Sequence, residues 1–180
     1  MQHEPVLPGP VRQIGYVVRD LDAALADWLK LGVGPWYVMR GLDQRVTYRG
    51  EPCQVTLSLA LANSGDLQVE LIQQTDAAPS IFTEFLDSSG GGFHQLAYWT
   101  DDFGATMDRV AAAGWPVVWS GGEGEGVHFA YVEPGGAGPG PATVVEIMEL
   151  TEASAGMAAF VRQAADGWDG SDPIRELGGT

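Results

Sequence analysis

Apolar positions change period along this chain, and the changes mark its elements. From Gln13 to Leu21 the segment QIGYVVRDL alternates like a strand, then runs into a stripe of Leu21, Ala24, Leu25, Trp28 and Leu29. The segment QLAYWTDDF, Gln95 to Phe103, repeats this 82 residues later, with a stripe of Phe103, Thr106, Met107, Val110 and Ala111. That spacing belongs to a helix lying on a sheet. Asp20 and Asp102 stand where N-cap carboxylates accept orphan amides, and Gly32 and Gly114 where each helix should stop. Three strand-like runs follow each helix: Trp36 to Arg40, Gln54 to Leu61 and Leu67 to Gln73, then Pro116 to Ser120, Val127 to Val132 and Thr143 to Leu150. Turn signals separate them at 63–66, Gly121-Gly122 and Pro134 to Pro141.

The final runs, DLQVELIQ and ATVVEIME, also align, so Glu70 falls on Glu146. The pattern predicts an α+β fold: two βαβββ modules, 11–75 and 93–150, forming curved mixed sheets around a cavity. Together they make one domain over 11–150. A linker helix is expected over Ser80 to Asp87. A C-terminal helix is expected over 151–170, with Met157, Phe160, Val161, Ala164 and Trp168 on one side. Residues 1–10 and 171–180 are expected to be flexible tails.

Strand side chains alternate between faces. If Ile14, Tyr16 and Val18, with Leu96, Tyr98 and Thr100, face the helices, the inner face carries Gln13, Gly15 and Val17, and Gln95, Ala97 and Trp99. Small residues two places after each glutamine leave room above the sheet. Glu146 shares its face with Val144, Met148 and Leu150, where a carboxylate is costly to bury unless paired, protonated or metal-bound. If a pseudo-twofold relates the modules, Gln13, Gln95, Glu70 and Glu146 form two symmetric pairs facing one cavity. Such oxygen ligands suit a hard or borderline divalent cation.

Composition narrows the setting. A formal charge of −15 repels phosphate backbones and argues against nucleic acid. A single cysteine, Cys53, excludes an internal disulfide framework and a thiolate metal cluster. No apolar run approaches a membrane span, and MQHEPVLPGP lacks a signal-peptide pattern, so a cytoplasmic protein without membrane partners is expected. The glycines at 121, 122, 124 and 126 are followed by no Lys-Ser/Thr pair, so they make no phosphate loop.

The segments QIGYVVRDLDAALADWLKLGVGPWYV, SGDLQVELIQ, GGFHQLAYWTDDFGATMDRVAAAG and TVVEIMEL resemble the vicinal oxygen chelate superfamily. That group includes glyoxalase I, methylmalonyl-CoA epimerase, extradiol dioxygenases and bleomycin-resistance proteins, and its epimerase-like branch is the nearest likeness. The resemblance covers residues 11 to 150. It implies a divalent metal held by residues on the first and last strands of each module, here Gln13, Glu70, Gln95 and Glu146. Related epimerases usually carry a histidine where Gln95 stands, and here the histidine is His94, one residue earlier. A site without imidazole suits magnesium, manganese or calcium better than zinc or nickel, or holds no metal. A bulge at Gly91-Gly92 would rotate His94 inward. The resemblance also implies a homodimer.

Further pocket residues are Trp99, His128 on its strand, and Trp36 and Tyr48 in an aromatic wall. Two functional classes stay open. One is an isomerase, epimerase or lyase acting on a carbonyl or thioester substrate through an enolate-like intermediate, with Glu146 and Glu70 moving the proton. The other is a metal-free protein sequestering a hydrophobic or aromatic ligand.

Overall fold

A computed structural model of the chain describes residues 5–7, 9–122, 124, 126–135 and 142–178. The first module runs β1 (Gln13–Val17), α1 (Leu21–Lys30), β2 (Trp36–Tyr48), β3 (Glu51–Ser64) and β4 (Leu67–Gln74). After α2 (Ile81–Ser89), the second runs β5 (Gly92–Thr100), α3 (Phe103–Ala112), β6 (Val117–Gly121), β7 (Phe129–Val132) and β8 (Val144–Glu149). The chain ends in α4 (Glu152–Ala165) and β9 (Ile174–Glu176).

The strands form one sheet in the order β3-β4-β1-β5-β8-β7-β6-β2-β9, and β2 also pairs with β3. That pairing closes eight strands into a ring, with β9 attached outside. The modules meet where β1 and β5 run antiparallel, while β1–β4 and β5–β8 are parallel. The second seam is short: β2 meets β6 only at Thr47–Ser120 and Tyr48–Trp119.

The helices start where the sequence places their caps. Asp20 Oδ1 accepts from Ala23 N at 3.0 Å, and Asp102 Oδ1 from Ala105 N at 2.9 Å. Outside the ring, Leu21 and Leu25 of α1 pack on Trp36, Val38, Val69 and Leu71. Val110 of α3 packs on Val132, Val145 and Ile147, and Val161 of α4 on Tyr37 and Leu61. Inside, Val17, Val55, Leu57, Ile72, Phe82 and Trp119 form a separate cluster. The central ring strands therefore carry apolar side chains on both faces, so burial there is too continuous to read from alternation alone.

Three expectations change. The strand expected to stop at Arg40 continues to Tyr48, because a bulge between Met39 and Leu42 interrupts the pattern without ending the pairing. The hairpin turns at Arg49-Gly50, whose φ values of 47° and 88° are the left-handed pair of a tight β-turn. The region expected as a loose tail over 171–180 contains β9, which pairs in parallel with Trp36–Val38. At the other end Leu7 is buried against α3. Most of Pro134 to Pro141, and the outermost residues of both expected tails, lie outside the described residues. Among the described residues no helix is long and apolar enough to cross a membrane.

Candidate active site

β1 and β5 stand side by side in the wall of the ring, and the absence of a side chain at Gly15 makes the site. Gly15 lies beside Gln95 on one side and Glu70 on the other. A Cβ on Gly15 would stand 2.3 Å from the Gln95 side chain, so that chain occupies the vacated space. Glu146 lies in the mirrored position, beside Ala97.

Gln95 joins the two carboxylates. Its Nε2 donates to Glu70 Oε2 at 3.2 Å and to Glu146 Oε2 at 3.2 Å. The Tyr131 hydroxyl lies 3.0 Å from the same Nε2, whose two hydrogens are shared among these three oxygens. On its other side, Gln95 Oε1 lies 2.6 Å from His94 Nδ1. With the amide hydrogens turned to the carboxylates, His94 must carry its proton on Nδ1 and donate it to Gln95. Burial lowers the His94 pKa, which keeps the imidazole neutral.

His94 and Gln95 are sequence neighbours, yet both point inward. The β1–β5 register jumps from Gly15–Gln95 to Tyr16–Phe93, leaving His94 as the extra residue of a bulge. The bulge falls at His94 itself and not at Gly91-Gly92. Phe82 and Phe85 flank the imidazole at ring separations of 5.8 and 4.8 Å.

The acid pair is strongly perturbed. Burial pushes Glu146 up to about 7, partly offset by hydrogen bonds from Gln95 and Tyr131. Burial, and then repulsion from Glu146, pushes Glu70 well above the usual carboxylate range. At neutral pH the pair therefore holds at least one proton. Tyr131 stays a neutral hydroxyl, held there chiefly by burial and then by both carboxylates. Glu70, Glu146, Tyr131 and Gln44 line a cavity of about 150 Å³ whose other walls are apolar.

The structure brings together Glu70, Gln95 and Glu146 but not Gln13. Gln13 Nε2 donates to Gln68 Oε1 at 2.7 Å. The repeat is asymmetric here: Gln68 stands beside Gln13, while its counterpart beside Gln95 is the apolar Val144. Gln13 thus has a local partner, and Gln95 is left to the carboxylates.

The donor set does not fit the metal that the resemblance implies. Gln95 presents N–H groups to the carboxylates, where a cation needs lone pairs, and Gln13 is committed elsewhere. Among the described residues no group of three or more His, Cys, Asp or Glu side chains is arranged to hold a metal ion.

Four other expected pocket residues lie elsewhere. Trp36 packs beneath α1 against Trp28, its Nε1 donating to Val33 O at 2.9 Å. Tyr48 packs on Trp119 and donates to Glu84 at 2.8 Å. His128 falls just before β7, stacks on Phe103 and meets Glu149 at 2.7 Å, because Phe129 and Tyr131 take the inner face. Trp99 stands four residues beyond Gln95, roughly 13 Å along the strand. It lines a second hollow of about 220 Å³ with Arg12, Asn63 and α4. Sequence reading missed Tyr131, although it is the cross-strand partner of Glu146 on β7.

Gly15→Ala tests the role of the vacated space. The new methyl displaces Gln95 from both carboxylates, so a loss of about 1–3 kcal/mol is expected in urea unfolding. An unchanged midpoint would mean that Gln95 moves aside without cost.

The sequence profile described as the Glyoxalase/Bleomycin resistance protein/Dioxygenase superfamily matches residues 12–131. No curated protein matches the chain in sequence. Among solved structures, methylmalonyl-CoA epimerase from Mycobacterium tuberculosis superposes with a TM-score of 0.57 at 22% identity, covering 86% of this chain and 97% of that one. A hypothetical protein from Bacillus halodurans C-125 gives 0.56 at 16% identity, with coverages of 79% and 94%. A variant methylmalonyl-CoA epimerase from Streptomyces coelicolor, in complex with 2-nitronate-propionyl-CoA, gives 0.51 at 18% identity, with coverages of 77% and 92%. At these identities the likeness is one of fold.

Proposed function

Because this chain belongs to the glyoxalase/bleomycin resistance protein/dioxygenase superfamily, we propose that its ring interior is the active site of an isomerase or epimerase. It would act on the carbon next to a carbonyl group. The observation that carries this reading is the buried Glu70–Gln95–Glu146 bridge at the wall of a cavity. Two carboxylates that titrate apart supply an acid and a base at one pH.

Glu146, titrating near 7, is the base. It takes the proton from the substrate carbon, and the C–H electron pair becomes the new C=C bond as the carbonyl π pair moves to oxygen. The protonated Glu70 is the acid. It returns a proton to the opposite face of the carbon, the oxygen's electron pair reforms the carbonyl, and the configuration is inverted. Glu146 then carries the proton and Glu70 the charge. Gln95 touches both and balances whichever is ionised. The Tyr131 hydroxyl, which donates to ionised Glu146, is released as Glu146 takes up the proton and can then turn to the charge developing on the substrate oxygen. No step needs a metal.

The test is proton exchange. Wild-type protein in D2O with a panel of ketones, aldehydes and acyl-CoA thioesters, methylmalonyl-CoA included, is followed by proton NMR. Catalysed loss of the signal next to a carbonyl in at least one compound is the expected result. If compounds bind and none exchanges, the chain is a metal-free binding pocket and not an isomerase.

A further inference from the structure

We propose that the second hollow, between the ring and α4, is a binding site for a small apolar acid that carries a hydroxyl or amino group beside its carboxylate. No group of the ring cavity takes part, so this site is independent of the isomerase reading.

Among the described residues, two buried side-chain polar atoms lack a hydrogen-bond partner, Asn63 Oδ1 and Trp99 Nε1. Both residues line this one hollow. Asn63 is only 6% exposed, and its Nδ2 donates to Gly65 O at 3.1 Å, which fixes the amide and leaves its carbonyl oxygen over. Buried polar groups without partners are uncommon and costly, so two in one hollow call for a molecule that completes both. One is an acceptor and the other a donor. The occupant must therefore give a hydrogen bond to Asn63 and take one from Trp99.

Charge selects further. Two guanidiniums line the hollow, in a chain with 24 acidic and 9 basic residues. Arg162 is neutralised by Asp66 at 2.7 Å and Asp166 at 3.2 Å. Arg12 lies over the Trp99 ring at 4.9 Å and makes no ion pair among the described residues. It is free to turn from the ring to an incoming carboxylate, whose two oxygens match its fork of N–H groups, and that turn uncovers the indole. The opposite wall is Leu150 with Ala155, Ala158 and Ala159, which share one face of α4 at i, i+3 and i+4. That wall rewards hydrocarbon surface. A 2-hydroxy or 2-amino acid with an aliphatic side chain meets every demand: its carboxylate faces Arg12 and the Trp99 N–H, its hydroxyl or amino group faces Asn63, and its side chain faces the alanines.

Proton–nitrogen NMR of the full chain tests this without requiring turnover. The indole N–H resonance of Trp99, identified by its disappearance in Trp99→Phe, reports on this hollow. It is expected to shift on titration with 2-hydroxy-4-methylpentanoate or leucine, and the tighter of the two shows whether hydroxyl or amine is preferred. 4-Methylpentanoate, which has the carboxylate and no donor beside it, is expected to bind about tenfold more weakly. Arg12→Gln is expected to weaken binding about ten- to hundredfold, and Arg12→Lys, which keeps the charge, to recover part of the loss. The proposal is overturned if neither acid shifts the Trp99 resonance at about 10 mM, or if Arg12→Gln binds as wild type does. Equal binding of 4-methylpentanoate or of inorganic phosphate also overturns it, since the hollow would then hold any anion.

Discussion

Raising the pH from 4.5 to 7 is expected to weaken the fold by about 3 kcal/mol through Glu146 alone. The group ionises near 4.5 in the unfolded chain and near 7 in the folded one, and each unit of difference is worth about 1.4 kcal/mol. Below 4.5 both states hold the proton, so the group contributes nothing. Between 4.5 and 7 the unfolded chain has released it and the folded chain has not, so stability falls as pH rises. Above 7 the full penalty remains. Glu70 shifts in the same direction and extends the window upward. Surface acids such as Asp76 and Glu84 shift the other way, so they add stability as pH rises through the acid range. The carboxylate pair is therefore isolated by difference. Glu146→Gln should match wild type at pH 4 and exceed it by about 3 kcal/mol at pH 8, measured by urea unfolding at both values. A variant no more stable at pH 8 would show that the carboxylates are solvated in the folded state.

The same substitution should remove activity. Loss of a positioned base costs about a hundred- to ten-thousandfold, and α-proton exchange by Glu146→Gln is expected to fall by that factor. Glu70→Gln separates the two roles. It leaves the base in place, so exchange persists, but it removes the acid on the opposite face, so inversion of the substrate is lost. Following exchange by NMR and configuration by chiral chromatography distinguishes the two. If both variants lost exchange and inversion together, one carboxylate would not be the base and the other the acid. Stability gained and activity lost at one position is the signature of a site held strained for chemistry.

The architecture was legible because duplication leaves two copies of the same strand-to-helix transition, with Asp20 and Asp102 capping both helices as their positions predict. Glu146 was legible too, since a charged residue in an apolar strand needs a reason to be there, and Glu70 followed from its alignment with Glu146 in the repeat. Other parts of the site depend on events that periodicity does not encode. The bulge at His94 puts two consecutive side chains on one face, which breaks the alternation used to assign faces. Gln13 and Gln95 look equivalent until their neighbours are known: Gln68 captures one, and Val144 leaves the other free. The assignment of His128 to the pocket placed the inner face of β7 one residue off, and the same error hid Tyr131.

The ring closes within one polypeptide, β2 returning to both β3 and β6. Among the described residues, every group that lines the cavity is therefore encoded in a single reading of the chain. How copies associate and what happens inside each one are separable traits. Surface positions on α1, α3 and α4 can drift, or be redesigned into new assemblies or fusions, without rewriting the chemistry within.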